Sequence, residues 1–469
     1  MSVGSWVIFY LIVTLAIGLL ASKLVHSSRD FLNASRRVPF ILSSFALFAF
    51  WFGSETIFGA SSEFIQHGLL GVIEDPFGGF LCLFLFALIF VRPLYRKNLL
   101  TLADLFRSRF GQKIEVLSSI FMMITFFGYV AAQIIALSIL FETVFDIDTA
   151  VGKVISAGIV IAYTAAGGMW AVSITDFIQS IVIVAGLLFL VFDLSQLVDM
   201  DQVWTAPQEH FFDFIPSEVN GTGWMEYLAA WLTLGLGSLA SQDIFQRANA
   251  AKSERVAVNS TYFGAVIYLV IAMLPLYLGL LIFHIDPSIA GGDGQYALVS
   301  LVKGYAPYWL QVLFYGALIS AIFSTCSGAL LAPSTIMAEN IIRPLLSGRI
   351  SDSYFLFISR ISVVLVGIVS TFIAFGTVSI YELVAQSSIF GMVSILVPMF
   401  VALFFKRATT LGAALSMIFG LSFYIIAELW LIDLAIPPMF IGFGASITGM
   451  AIGQVVSLYF TKPLASDIQ

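Results

Sequence analysis

The 469-residue chain is 60% hydrophobic and only 10% charged, with a formal net charge of −7. Ordinary soluble domains carry about 25% charged residues, so the composition excludes a water-soluble enzyme or binding module and reads as an all-α integral membrane protein. The acidic balance comes largely from segments such as 199–218, and no basic tail or motif points to a nucleic acid.

Runs of about 18 or more apolar residues are long enough to cross a bilayer as helices. Thirteen are expected: 4–22, 40–66, 70–91, 116–141, 150–170, 172–192, 224–246, 257–283, 308–338, 354–375, 380–405, 408–431 and 436–460. The first lacks a basic leader and reads as a retained helix. Lys and Arg test the count, because cytoplasmic loops collect them. With the N-terminus outside and the C-terminus cytoplasmic, Lys23, Arg29, Arg36 and Arg37 fall in the first inner loop, and Arg92, Arg96, Lys97, Arg107, Arg109 and Lys113 in the second. Arg247, Lys252 and Arg255, then Arg343, Arg349 and Arg360, then Lys406, Arg407 and Lys462 follow, so that of 21 cationic residues only Lys153 and Lys303 lie outside.

Cys82 and Cys326 both sit in apolar spans and read as free thiols. The histidines, His26, His67, His210 and His284, lie in or near loops without metal-ligand spacing. With no grouped His or Cys to supply a nucleophile, base or metal, an enzyme is not expected. The segment "YRKNLLTLADLFRSRFGQKIE" (95–115) is amphipathic, with Leu99, Leu102, Leu105 and Phe106 on one side, and is expected to be a helix lying on the membrane surface.

The second span contains "FAFWFGSETIFG" (48–59), where Gly53 and Gly59 bracket Ser54 and Glu55. The seventh carries Gly235, Gly237 and Ser238 before Gln242 and Asp243. Gly-interrupted spans at matching positions of two halves mark binding sites in transporters built from inverted repeats, and these two lie five spans apart. The alternative is that the glycines serve close helix packing. A broken helix frees backbone groups that survive at membrane depth only if they line a polar cavity or are buried in protein. Glu55 needs either a task or a hydrogen-bonded, protonated existence, since a carboxylate there costs about 2.5–3.5 kcal/mol on insertion scales.

The ninth span reads "SAIFSTCSGALLAPSTIMAEN" (320–340). Ala321, Ser324 and Thr325, at i, i+3 and i+4, put a carbonyl and two hydroxyls on one helix face. This outlines a hard-cation site, unless the hydroxyls merely bond back to their own helix.

The most distinctive stretch is "AYTAAGGMWAVSITDFIQ" (162–179), in which two spans meet at Gly167 and Gly168 and Thr175, Asp176 and Gln179 follow. It resembles the Tyr-Thr, Gly-Gly, Ala-Val, Thr-Asp, Gln signature of the sodium:solute symporter family, the sodium-coupled carriers of sugars, proline, pantothenate and choline. "SQDIFQRANAAKSERVAV" (241–258) and "SAIFSTCSGALL" are similar to two further family segments. The resemblance implies a five-plus-five inverted-repeat core, spans two to six and seven to eleven, with a broken first helix in each repeat. Along the chain that gives an extra helix in 1–35, repeats in 36–200 and 201–405, and two C-terminal helices in 406–469. It implies a co-transported sodium ion held by the carbonyls of Ala49, Phe52 and Ala321 and the hydroxyls of Ser324 and Thr325, with Asp176 on the inner sodium route. Many members have an acid where this chain has Cys326, and the proline carriers have an aspartate where it has Trp51, which instead resembles the choline carriers.

The expected function is therefore sodium-coupled import of a small organic solute by alternating access through the plasma membrane. Trp51, Glu55, Thr56, Glu74, Tyr129, Gln133 and Gln242 are the candidate solute residues, and acids beside aromatics suit an amine-bearing or cationic solute. A proton-coupled carrier and a non-transporting membrane sensor of the same fold are the alternatives.

Overall fold

The computed structural model describes the chain except for residues 1, 22, 24–26, 206, 217–220, 347–350, 377–378, 431–435 and 461–469. His26, Arg349 and Lys462 thus lie outside the described residues. The fold is helical throughout, and the one β-bridge among the described residues joins Val38 to Ala251. In chain order the principal helices are α1 (Val3–Ala21), α2 (Ser28–Asn33), α3 (Phe40–Trp51), α4 (Glu55–Gly71), α5 (Ile73–Arg96), α6 (Ala103–Phe110), α7 (Gln112–Phe145), α8 (Thr149–Ser195), α9 (Gly221–Gly237), α10 (Gln242–Ala250), α11 (Glu254–Ile285), α12 (Ala297–Tyr305), α13 (Tyr308–Leu345), α14 (Asp352–Gly376), α15 (Ile380–Phe404), α16 (Thr410–Trp430) and α17 (Pro438–Phe460).

Among the described residues nine helices are long and apolar enough to span a membrane, or ten if α3 and α4, bent by 51° across their break, count as one. Helix α13 is the centre of the bundle. Of its most apolar stretch 89% is buried, against 33% for the peripheral α17. Since every membrane helix is apolar, the difference lies in small and hydroxylated residues: Ser320, Ala321, Ser324, Thr325, Ser327, Gly328 and Ala329 are all buried and let neighbouring backbones approach closely.

Helix α8 runs for 47 residues where two spans are expected, and it is interrupted at Gly168, whose φ of 59° places it in the left-handed region. A Cβ there would also meet the Phe31 ring at 2.4 Å. The Gly-Gly pair thus brings α2 onto the junction, and no other residue type serves both needs.

The amphipathic segment differs from expectation. Instead of one helix it holds the end of α5, the separate short helix Ala103–Phe110 and the start of α7, because the Asp104 carboxylate accepts from the backbone N–H groups of Leu100 and Thr101 at 2.9 and 3.0 Å and Gly111 (φ 88°) ends the turn. Leu102, Leu105 and Phe106 are buried against the bundle rather than presented to lipid. Asn340 of α13 fixes this helix from the other side. It donates to Asp104 at 2.9 Å and Glu115 at 2.8 Å, and accepts from Thr101 at 2.8 Å.

Candidate functional site

Two helix breaks build the site. Helix α3 ends at Phe52, whose φ, ψ of −93°, 69° cannot continue the helix, and the chain resumes at Glu55. A Cβ at Gly53 would sit 2.5 Å from the Glu55 carboxylate and 2.8 Å from Thr325 Oγ1, so a side chain there would push both groups from their places. The second break lies at Ser241, which is extended (φ −86°, ψ 136°) between a short 3-10 turn, Ser238–Ala240, and α10. Its hydroxyl bonds the Asp243 carboxylate.

Across the first break stands α13. Thr325 Oγ1 donates to the Phe50 carbonyl at 2.8 Å and lies 3.4 Å from that of Ala49. Ser324 Oγ donates to Asp176 Oδ1 at 2.7 Å. Ala49, Phe52 and Ala321 are completely buried in the same core. The structure therefore gathers Ala49, Ser324, Thr325 and Asp176 at the junction of α3, α8 and α13, and Ser324 bonds Asp176 rather than only its own helix.

Arg247 is not the loop cation that the sequence suggests. It is 3% exposed, donates Nε–H to the Ala46 carbonyl at 3.1 Å, stacks 4.0 Å from the centre of the Phe50 ring and pairs with Asp176 at 3.5 Å. A charge at that depth needs a partner, and Asp176 supplies it. Charge and hydropathy alone cannot separate a buried arginine from one in a loop between two spans.

Between the two breaks lies a tight cavity of about 40 Å³, room for a few waters in this conformation. Trp51, Glu55 and Tyr129 of the expected solute residues line it, joined by Phe50, Phe126, Asp75, Ser241, Asp243 and Ser388 among others. Tyr129 Oη donates to Glu55 Oε1 at 2.8 Å, and Gln133 Nε2 to Oε2 at 2.9 Å. Gln133 also accepts from the Ser54 N–H at 3.1 Å, so it braces the break from behind the cavity. Thr56 is likewise behind the lining, donating to Asp75 Oδ2 at 2.9 Å, and Tyr268 bonds the other Asp75 oxygen.

Gln242 and Glu74 also fail to line the cavity, so four of the seven expected residues stand outside it. Gln242 points away from it and accepts from the Leu102 N–H at 2.7 Å, tying α10 to α6. Glu74 does not line it, whereas its neighbour Asp75 does, because the chain turns there and Asp75 takes extended angles (φ −138°, ψ 121°). Asp243 is the acid that sequence reasoning left out of the site, and Asp75, beside Glu74 at the start of its span, was expected near the solute but not among the residues that hold it. Their signal was available: a carboxylate next to a break in an otherwise apolar span.

A helical membrane core with two interrupted helices enclosing an acidic, aromatic cavity defines a solute carrier. The model of the sodium:solute symporter family matches residues 31–420, and the chain belongs to that family. It is accordingly an integral membrane transporter coupled to sodium, the co-transported ion. The high affinity choline transporter of Homo sapiens is 26% identical over 433 residues, covering 88% of this chain and 74% of that protein. The proline transporter PutP of Bacillus subtilis is 27% identical over 378 residues, covering 77% of each. Among solved structures, a substrate-bound, outward-open sodium-coupled sialic acid symporter superimposes with a TM-score of 0.83 over 98% of both chains at 20% identity, a likeness of fold.

Proposed function

We propose that the protein imports a small amine-bearing or cationic organic solute together with sodium across the plasma membrane, with its N-terminus outside and its C-terminus cytoplasmic. The observation that carries this reading is the contact of Thr325 with the exposed carbonyls of the α3 break, 2.8 and 3.4 Å away. In this reading the carbonyls of Ala49, Phe52 and Ala321 and the hydroxyls of Ser324 and Thr325 hold the ion. A hydroxyl that gives its proton to a carboxylate or carbonyl, as both do here, keeps its lone pairs for a cation. Asp176, bonded to Ser324, then draws the ion toward the cation-rich side.

The architecture behind the proposal is a thirteen-helix chain with two five-helix repeats, in 36–200 and 201–405. The interruption of α8 at Gly168, the shorter apolar α1 and the broken α9–α10 pair support counting spans beyond those that length alone selects. Sodium favours the state in which α3 and α13 are held together, and an ion can shift that equilibrium only through such differential contacts. Its inward passage gains about 2.3 kcal/mol per 100 mV of membrane potential. The cavity supports a cationic solute because Glu55, Asp75 and Asp243 line it beside Trp51 and Tyr129, with no Lys, Arg or His among the described lining residues.

The test is uptake into proteoliposomes under an inward sodium gradient, an inward potassium gradient, or a proton gradient with the sodium concentrations equal. Accumulation of a labelled amine with sodium alone is the expected result. Uptake that persists without sodium and collapses with a protonophore would overturn the coupling, and sodium-driven uptake confined to neutral or anionic solutes would overturn the solute class.

A further inference from the structure

Given the cationic solute proposed for this cavity, on which the inference rests, the charges around it narrow the chemical class. At full ionisation Glu55, Asp75, Asp243 and the neighbouring Asp176, each no more than 3% exposed, bring four negative charges into the bundle. Arg247 returns one through its pair with Asp176, and a single sodium ion would return another. The cavity acids that remain need either protons or further cationic partners, since an unpaired charge is costly in this medium.

The hydrogen bonds point the same way. Glu55 takes one donor on each oxygen, from Tyr129 and Gln133, and both are neutral. Asp75 is held by the hydroxyls of Thr56 and Tyr268, and Asp243 by the Ser241 hydroxyl and the N–H groups at the start of α10, with the Arg247 charge nearby but not bonded to it. A carboxylate has about four acceptor positions, so each of the three keeps capacity for an N–H donor. A quaternary ammonium has no N–H to give and carries one charge.

A separate observation comes from Trp51. It is 6% exposed and lines the cavity, and its indole Nε1–H is buried with no acceptor among the described residues. An orphaned buried donor is costly, and a ligand acceptor would relieve it.

We propose that the solute is a small aliphatic diamine, doubly protonated, whose ammonium groups bond the cavity carboxylates and whose backbone bears a neutral acceptor, such as a hydroxyl, that meets Trp51. Such a dication offers ammonium hydrogen-bond donors to all three acids, which their present partners do not.

The full chain in lipid nanodiscs is titrated in sodium and in potassium with diaminobutane, butylamine, diaminopropane, diaminopropanol, choline, proline and glucose, with binding read by calorimetry. Diamines are expected to bind about tenfold tighter than the matching monoamines, the factor that one charge-assisted contact supplies. Asp75→Asn and Asp243→Asn should each cut that ratio while butylamine still binds. Diaminopropanol should bind more tightly than diaminopropane, and Trp51→Phe, which keeps a ring and removes the N–H, should erase the difference. Diamines no tighter than monoamines, choline tighter than either, or no diamine binding to protein that still binds sodium would each overturn the diamine while leaving a sodium-coupled carrier of cations standing. Sodium-dependent binding of proline or glucose alone overturns the cationic reading as well. The wild-type ligand series decides the matter even if a variant fails to fold.

Discussion

Thr325 on α13 closes onto the open end of α3, its hydroxyl 2.8 Å from the carbonyl of Phe50 and 3.4 Å from that of Ala49, although 275 residues separate the first pair in the chain. The contact joins a helix that is broken to the one that is most deeply buried. If sodium binds there, Thr325→Val and Ser324→Ala should each raise the sodium concentration for half-maximal uptake about tenfold, equivalent to one buried polar contact. A sodium titration of uptake by folded protein is the check, and unchanged half-saturation would remove the ion from this junction.

Trp51 contributes a ring edge-to-face with Tyr268, 6.0 Å between centroids, at the wall of the cavity. Trp51→Ala should weaken solute binding by about 1–2 kcal/mol through lost aromatic and cation-π contact, with sodium affinity unaltered. Separate titrations of solute and sodium distinguish this from a packing role, which would lower both together.

The buried Arg247–Asp176 pair makes a sharper demand on stability. Removing one partner strands the other, at a cost of about 3–5 kcal/mol. Asp176→Asn and Arg247→Gln should each lower the unfolding midpoint in detergent, and the double variant should fall by less than the two combined. Additive losses would show that the two side chains act independently.

Asn340 should behave as a latch. With Asn340→Ala, Asp104 and Glu115 lose a shared donor and α6 comes free of α13. In a Cys82→Ala background, Cys326, next to Thr325, should then react faster with a membrane-permeant thiol reagent. Equal rates would mean that this network does not gate access to the site.

A packing prediction concerns α16. A Cβ on Gly420 would stand 1.7 Å from the Val393 carbonyl, with backbone that cannot step aside. Gly420→Ala should therefore cost about 1–3 kcal/mol and lower the unfolding midpoint. Gly158, within α8, has open space around it, and Gly158→Ala should be neutral or gain up to about 1 kcal/mol from helix propensity.

Much of this was legible in the chain itself. Apolar runs of bilayer length fixed the class, because a spanning helix must satisfy its backbone internally and cover itself with hydrocarbon. Glycines beside Glu55 and before Gln242 marked both breaks, since a residue without a side chain leaves room for the Glu55 and Thr325 oxygens that crowd Gly53. The i, i+3, i+4 spacing of Ala321, Ser324 and Thr325 marked the face of α13 on which Thr325 meets α3 and Ser324 meets α8.

Tertiary structure alone decided which polar groups meet. Asp75 rather than Glu74 enters the cavity because one extended residue redirects the chain, and a one-residue choice of that kind leaves no trace in periodicity. Gln242 turned to Leu102, and Arg247 went inside to Asp176, because partners 71 to 140 residues away were waiting there. Hydropathy records whether a segment prefers lipid to water. It carries no information on which buried charge faces which, since that depends on contacts between helices distant in the chain.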